Sequence, residues 1–543
     1  MEHSQQPYRK SLAHRGYIEG VTLHDKTTNK PLCHYFGGLR YGLPPSQRWH
    51  RAQKLPDSYT YGSQTQPGRC PGTTNVCPQP SFLNLSFGDN WDEDCFQCNV
   101  WVPTGTPPPG GWPVLFFIHG GFLQFGSPNT FSAAELLGDD RAAFDAIVVM
   151  PAYRVGIFGF LASSELAADA APGAVAGNQG FWDQRLALEW TRDHAALLGG
   201  NPAQITIAGY SAGAYSVFYQ LAYDLGLPDH HALVKQACIF SNSPATQPRS
   251  AAAAQAQFDE VLDALHIPRS LPPPDKLARL RALPAKTLLT AATAVPTHQF
   301  RPWSDDDFVS ARLFAAFDDG SFARRLAARR VRILTGECRD ERHLYASWFP
   351  PTANSPAALR ARLLADYHRP AVDALMRLYY GPSGDALPAG CADWDVDAFG
   401  RVYADMQVHN MQRGLIDSLV RGGAGHLVYR YRIEFRLRCA DHSIPPEWGV
   451  THATDQYMWF WGNGDVLEDA EKPVIHRAFI GPWKRFVHGE PDVQWGTRNH
   501  LEVRRLRSDG EVDIWQDELW DEAMRVWRGL REVGEPDATA AKL

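Results

Sequence analysis

The residues best suited to chemistry in this chain are Gly209-Tyr210-Ser211-Ala212-Gly213, a serine between two glycines directly after the apolar run Ile205-Thr206-Ile207-Ala208. A serine hydroxyl is a weak nucleophile, so it must be presented on a sharp strand-to-helix turn where a base can take its proton. Gly209 and Gly213 give such a turn room to close. Upstream, Pro113-Val114-Leu115-Phe116-Phe117-Ile118 predicts a buried strand running into His119-Gly120-Gly121-Phe122-Leu123-Gln124-Phe125-Gly126. A glycine loop there can aim backbone N–H groups at a carbonyl oxygen that gathers charge during attack. Each such donor is worth about 100- to 1000-fold in rate.

A serine nucleophile needs a base and an acid to orient it. Val331-Arg332-Ile333-Leu334-Thr335-Gly336 predicts a short strand, and three acids follow it, Glu337, Asp340 and Glu341. Spacing does not choose among them, and the two left over read as solvated charges. His452 stands in a turn, Trp448-Gly449-Val450-Thr451-His452-Ala453-Thr454-Asp455, just before the aromatic segment Tyr457-Met458-Trp459-Phe460-Trp461. It is the natural base among the 20 histidines. The order nucleophile, acid, histidine is that of α/β-hydrolases and differs from both common serine-protease orders. The elements required are therefore strands whose ends carry these turns, in a large central, mostly parallel twisted sheet with helices on both faces.

With these motifs in place, the chain resembles the type-B carboxylesterase and lipase family, the cholinesterase-like α/β-hydrolases, in a fungal-type intracellular form. The shared motifs run from Tyr35-Phe36-Gly37-Gly38-Leu39-Arg40-Tyr41-Gly42-Leu43-Pro44-Pro45 to the His452 turn. Between them lie Glu93-Asp94-Cys95 with Asn99-Val100, Tyr153-Arg154-Val155-Gly156-Ile157-Phe158-Gly159-Phe160 and Gly177-Asn178-Gln179-Gly180-Phe181-Trp182-Asp183-Gln184. Ala187-Leu188-Glu189-Trp190 and Gly199-Gly200-Asn201-Pro202 complete the series.

The resemblance selects Glu341 as the acid, because the family's triad glutamate follows a glycine by five residues and Gly336 is that glycine. It implies a Ser211, Glu341, His452 triad, with Asp455 and Ser243 as supporting residues near it. It also implies a disulfide between Cys77 and Cys95, with Cys70 and Cys98 close enough to confuse the pairing. Three departures stand out. Phe122 takes the place of a third glycine, so the oxyanion donors would be the N–H groups of Gly121, Phe122 and Ala212. Tyr210 replaces the glutamate that many animal relatives carry before the serine, which argues against a cationic-substrate site. Arg342 stands where a glycine is common after the triad acid.

Composition agrees with a large enzyme. The 543 residues read as one α/β-hydrolase domain, with helical cap insertions at about 250–319 and 353–424 and a flexible tail at about 533–543. A net charge of −7 without a long basic run excludes nucleic acid as the expected partner. No apolar stretch reaches the roughly 18–20 residues that span a bilayer, and the first ten residues lack the apolar core of a secretion signal. An intracellular location is expected, cytoplasmic or peroxisomal, because Ala541-Lys542-Leu543 is a close variant of a peroxisomal address that an import receptor would read. Nine cysteines cannot all pair, and a reducing compartment would disfavour the bridge the resemblance implies. No metal-like spacing of cysteine and histidine occurs and no cofactor is expected.

The function expected is hydrolysis of carboxylic esters through an acyl-enzyme. Phe122, Phe125, Trp348, Trp459 and Trp461 favour an apolar or aromatic small-molecule ester. Two rivals share the fold. One is an acyltransferase or cyclase step of a biosynthetic pathway, in which another nucleophile replaces water. The other is a non-catalytic binding protein of the neuroligin type, against which the intact Ser211, Glu341 and His452 argue.

Overall fold

The computed structural model describes residues 3–82, 91–170, 176–243 and 248–533. Its frame is one sheet built from β1 (Ser4–Ser11), β2 (Tyr17–His24), β3 (Pro31–Arg40), β4 (Gln97–Pro103), β5 (Trp112–Ile118) and β6 (Ile147–Pro151), continued by β7 (Gly200–Tyr210), β8 (Gln236–Phe240), β9 (Arg332–Cys338), β10 (Val428–Ile433), β11 (Glu502–Leu506) and β12 (Val512–Gln516). These lie in the order β1-β2-β3-β4-β6-β5-β7-β8-β9-β10-β11-β12, with the two-residue strand Gly68–Arg69 beside β2. From β6 to β11 every pairing is parallel. Antiparallel strands extend the sheet at both ends.

Parallel strands covered on both faces read as nearly continuous apolar runs, and β5 and β8 are buried throughout. Alternation then divides the core. Val114, Phe116 and Ile118 of β5 join one apolar cluster, while Leu115 and Phe117 join the cluster on the opposite face. Helices cover both faces, as the α/β-hydrolase fold requires. The longest, α1 (Gln179–Leu198), and the helix that leaves the serine turn, α2 (Ala212–Gly226), pack on β7.

The register of the ladder brings the functional turns together. Ile118 pairs with Gly209, Tyr210 with Phe240, Phe240 with Gly336 and Gly336 with Tyr431. The turns after β5, β7, β8 and β9 therefore leave from one edge of the sheet, where open α/β sheets place their ligands.

The two insertions are helical. The first holds Ala251–Ala264, Pro273–Ala282, Ala285–Ala294 and Leu313–Asp318. The second holds Pro356–Leu364, Arg369–Tyr380, Phe399–Ala404 and Asn410–Arg421, with π-helical turns at Trp394–Ala398 and Asp405–His409. The tail expected at 533–543 lies, apart from Val533, outside the described residues, and with it Ala541-Lys542-Leu543. Among the described residues no helix is long and apolar enough to cross a membrane.

Candidate active site

Ser211 sits between β7 and α2 at φ 56° and ψ −127°, a backbone conformation that an L-residue adopts only under constraint from its surroundings. The constraint is close packing. A Cβ on Gly209 would lie 2.4 Å from the Gly213 carbonyl, and one on Gly213 would lie 2.0 Å from the oxygen of Ile118. Both flanking glycines are thus dictated by the turn, and the strand before the glycine loop presses directly on it.

His452 meets the serine from the turn before the helix Thr454–Trp459. Its Nε2 lies 2.8 Å from Ser211 Oγ and its Nδ1 2.5 Å from Glu341 Oε2. The other carboxylate oxygen of Glu341 accepts the N–H of Cys338 at 2.8 Å. Ser211, Glu341 and His452 are all buried. The rings of Tyr345 and Tyr210 flank the imidazole, with centroids at 4.5 and 4.8 Å.

The glycine loop comes against the serine. A Cβ on Gly120 would lie 2.8 Å from Cβ of Ser211. Gly121 has φ +109°, and its own Cβ would meet the Phe125 carbonyl at 2.0 Å, so a glycine is required there. Phe122 follows at φ 56°. This position takes the left-handed backbone that a glycine would adopt without cost, although a phenylalanine fills it. Its ring is held by a stack on Trp348, 4.5 Å between centroids and 6° between planes, and by Tyr345 edge-on at 5.8 Å. Among the described residues no acceptor engages the N–H groups of Gly121, Phe122 or Ala212. His119 steadies the start of the loop: burial lowers its pKa to about 4, and the neutral ring contacts the Gly120 carbonyl at 2.8 Å.

The supporting residues divide. Asp455 is buried, and its Oδ2 accepts the Ser241 hydroxyl at 2.8 Å. Desolvation, together with the nearby Glu341 carboxylate, pushes its pKa up to about 7. Ser243 serves elsewhere, donating its hydroxyl to the Gln407 carbonyl at 3.0 Å and tying the turn after β8 to the second insertion. Tyr345, Ser241, Gln407 and the Cys338 N–H were not foreseen. Of these, only Tyr345, one helical turn beyond Glu341, had a readable position.

Two expectations are corrected. Glu337 is no solvated charge: it is buried and held by Arg413, Arg432 and His409. Trp459 and Trp461 belong to the core on the opposite sheet face, Trp459 stacking on Phe240 at 4.3 Å, so they do not line the site. Cys77 and Cys95 are free thiols, as are all nine cysteines. The two are buried in mutual contact without an S–S bond. Among the described residues no group of His, Cys, Asp and Glu is placed to hold a metal ion.

The arrangement can activate a hydroxyl, stabilise an oxyanion and shuttle a proton, which together serve acyl transfer from an ester. Comparison with known proteins agrees. Residues 9–510 match the carboxylesterase family. The chain is 43% identical over 534 residues to a carboxylic ester hydrolase of Gibberella moniliformis, covering 97% of this chain and 96% of the relative. It is 35% identical to an uncharacterized esterase/lipase of Schizosaccharomyces pombe, with 97% of each chain covered. The crystal structure of Aspergillus niger EstA superposes with a TM-score of 0.72 at 21% identity, over 98% of both chains, a likeness of fold. The chain belongs to the carboxylesterase family, and its enzyme class is that of the carboxylic ester hydrolases.

Proposed function

We propose that this enzyme cleaves an apolar or aromatic small-molecule ester through an acyl-enzyme on Ser211. His452 Nε2 takes the proton of Ser211 Oγ as that oxygen attacks the ester carbonyl carbon. The N–H groups of Gly121, Phe122 and Ala212 hold the oxyanion while Glu341 keeps the imidazole in the required tautomer and stabilises its charged form. When the intermediate collapses, the bond to the alkoxy oxygen breaks and the imidazolium gives its proton to the departing alcohol. A water then attacks the acyl carbon and surrenders a proton to His452. Ser211 leaves as the alkoxide, is reprotonated by His452, and the acid is released.

The observation that carries this reading is the unbroken hydrogen-bonded run from Ser211 Oγ through His452 to Glu341. The apolar preference rests on the Phe122 and Trp348 stack beside the serine turn. We assign the helical insertions at 250–319 and 353–424 to a cap over the pocket within one domain.

Intact mass after exposure to a small fluorophosphonate tests the mechanism. One adduct on the wild type and none on Ser211→Ala is expected. A folded wild type that stays unlabelled while still hydrolysing esters overturns the assignment of the nucleophile. Product trapping with and without an added alcohol then measures whether water is the acceptor.

A further inference from the structure

A cavity of about 490 Å³, lined by Glu341 but not by Ser211 or His452, is walled by the turn after β9 and by the second helical insertion. Its volume is within the range of small-molecule sites. Its lining combines the apolar surface of Tyr380, Pro388, Ala398 and Ala404 with the guanidinium groups of Arg339, Arg342 and Arg401 and the carboxyls of Asp340, Glu341 and Asp405.

Two of these arginines, Arg342 and Arg401, have hydrogen-bond donors to spare. Arg342 donates to Asp397 Oδ1 at 2.9 Å, and Arg401 Nε donates to the same oxygen at 3.3 Å. The other bond of Arg401 goes to the Gly390 carbonyl at 2.8 Å. One carboxylate thus serves two guanidiniums, each more than a third exposed. Nε and Nη2 of Arg342 and Nη1 of Arg401 are engaged by no described residue. The acids that line the cavity bond other groups. Asp340 pairs with Arg339, Glu341 meets the His452 ring and the Cys338 N–H, and Asp405 accepts the Tyr379 hydroxyl. Behind the wall, Glu337 is held by His409, Arg413 and Arg432, the two arginines also reaching Asp517 and Glu434. A planar carboxylate is the group that two such forks hold best.

We propose that this cavity binds a small aromatic or apolar carboxylate, its anion between Arg342 and Arg401 and its ring or chain against Tyr380, Pro388, Ala398 and Ala404. Arg342, which takes the place of a common family glycine, creates half of the anion site. The ligand has two conceivable sources. One is the acid released by this enzyme's own reaction, a possibility that rests on the ester-hydrolase reading, and the other is a carboxylate formed elsewhere.

The test is calorimetric titration of 2-naphthoate into the full-length Ser211→Ala protein, which cannot turn over, and into the same protein carrying Arg342→Gln and Arg401→Gln. The expected result is saturable binding that weakens by about tenfold or more in the combined variant, the loss of a charged hydrogen-bonding pair. Unchanged affinity in that variant overturns the proposal, because the ligand then occupies another pocket, and so does the absence of binding in the parent. If the combined variant does not fold, Arg342→Gly alone must still weaken binding by at least about threefold. Comparing acids whose esters are cleaved with acids whose esters are not separates the two sources. None of these titrations needs catalysis, so a failure of the ester-hydrolase reading leaves the result interpretable.

Discussion

Glu337 and Glu341 leave the same strand end, both are buried, and each meets a histidine, yet they are built for opposite purposes. Glu337 is surrounded by permanent charge: Arg413, Arg432 and His409 fix it, and Arg413 passes the network on to Asp517 and Arg430. Glu341 has one ring, His452, and one backbone N–H. The histidines differ in the same way. His409 ends at a cavity wall, whereas His452 continues to a hydroxyl that can give up its proton. A Glu–His pair becomes useful when its charge is left adjustable, and it becomes a fastening when arginines fix that charge.

The sharpest way to break this comparison is to remove the negative charge from each glutamate in turn. Glu341→Gln should lower kcat by about 10⁴-fold with little change in melting temperature. Ser211→Ala, the reference for complete loss, should fall on the order of a millionfold. Glu337→Gln should keep kcat within about tenfold and lose about 3–5 kcal/mol of stability, because buried cations are left uncompensated. Paired kinetics and chemical denaturation decide the matter. If Glu337→Gln is inactive but fully stable, the two roles have been exchanged.

Acid titration sharpens the same contrast. The cations around Glu337 outweigh its desolvation and hold its pKa well below the usual value. Its contribution to stability is therefore fully present above the unfolded pKa of about 4.3 and is lost as pH falls through the folded value. For His409, the Glu337 carboxylate overcomes desolvation and raises the pKa. Its contribution is complete below about 6.5 and is lost as pH rises through the folded value. Melting temperature against pH should show both limbs in the wild type and a smaller change on each in Glu337→Gln.

The glycine loop offers a third comparison, between a backbone that wants glycine and a side chain that has been given a stack. Phe122→Gly removes the left-handed backbone cost but opens space beside Trp348. The expected result is a higher KM for aromatic esters and a smaller change for acetyl esters, a shift in preference of about tenfold, the scale of one aromatic contact. Equal loss on both ester types would show that the ring supports the loop and does not select substrate.

The smallest effect is expected at Asp455, whose pKa is pushed up to about 7. An acid raised in this way penalises folding increasingly from its unfolded pKa, about 3.9, up to its folded one. Asp455→Asn, which retains an acceptor for Ser241, should therefore gain stability relative to wild type as pH rises, with a plateau above about 7. A constant difference across that range would show that Asp455 is ionised in the fold.

Much of this was legible in the residues. The apolar runs before Ser211, before His119 and before Glu337 predicted β7, β5 and β9, because strands buried on both faces must be apolar throughout. The serine turn was legible because its glycines answer to steric clashes within a few residues. The choice among Glu337, Asp340 and Glu341 was not, and only the family resemblance made it. What separates Glu337 from Glu341 physically is a pair of arginines more than seventy positions away, in elements that spacing cannot see, while Asp340 pairs with its neighbour Arg339. Trp459 and Trp461 misled for a related reason: an aromatic run declares burial, but not on which side of a sheet. The Cys77 and Cys95 pairing was implied by relatives, and the structure leaves both as thiols in contact.

The parallel register that sets Tyr210, Phe240, Gly336 and Tyr431 in one row, one residue beyond the Ile118 and Gly209 pair, has a consequence for how such a protein can change. Ser211 and Glu341 stand on short turns at one edge of a ladder that backbone hydrogen bonds hold together. The long helical insertions lie between its strands in sequence. Changes of length are therefore tolerated best in the insertions, which leave the pairing of the ladder untouched, much as a workshop keeps its lathe and changes only the chuck.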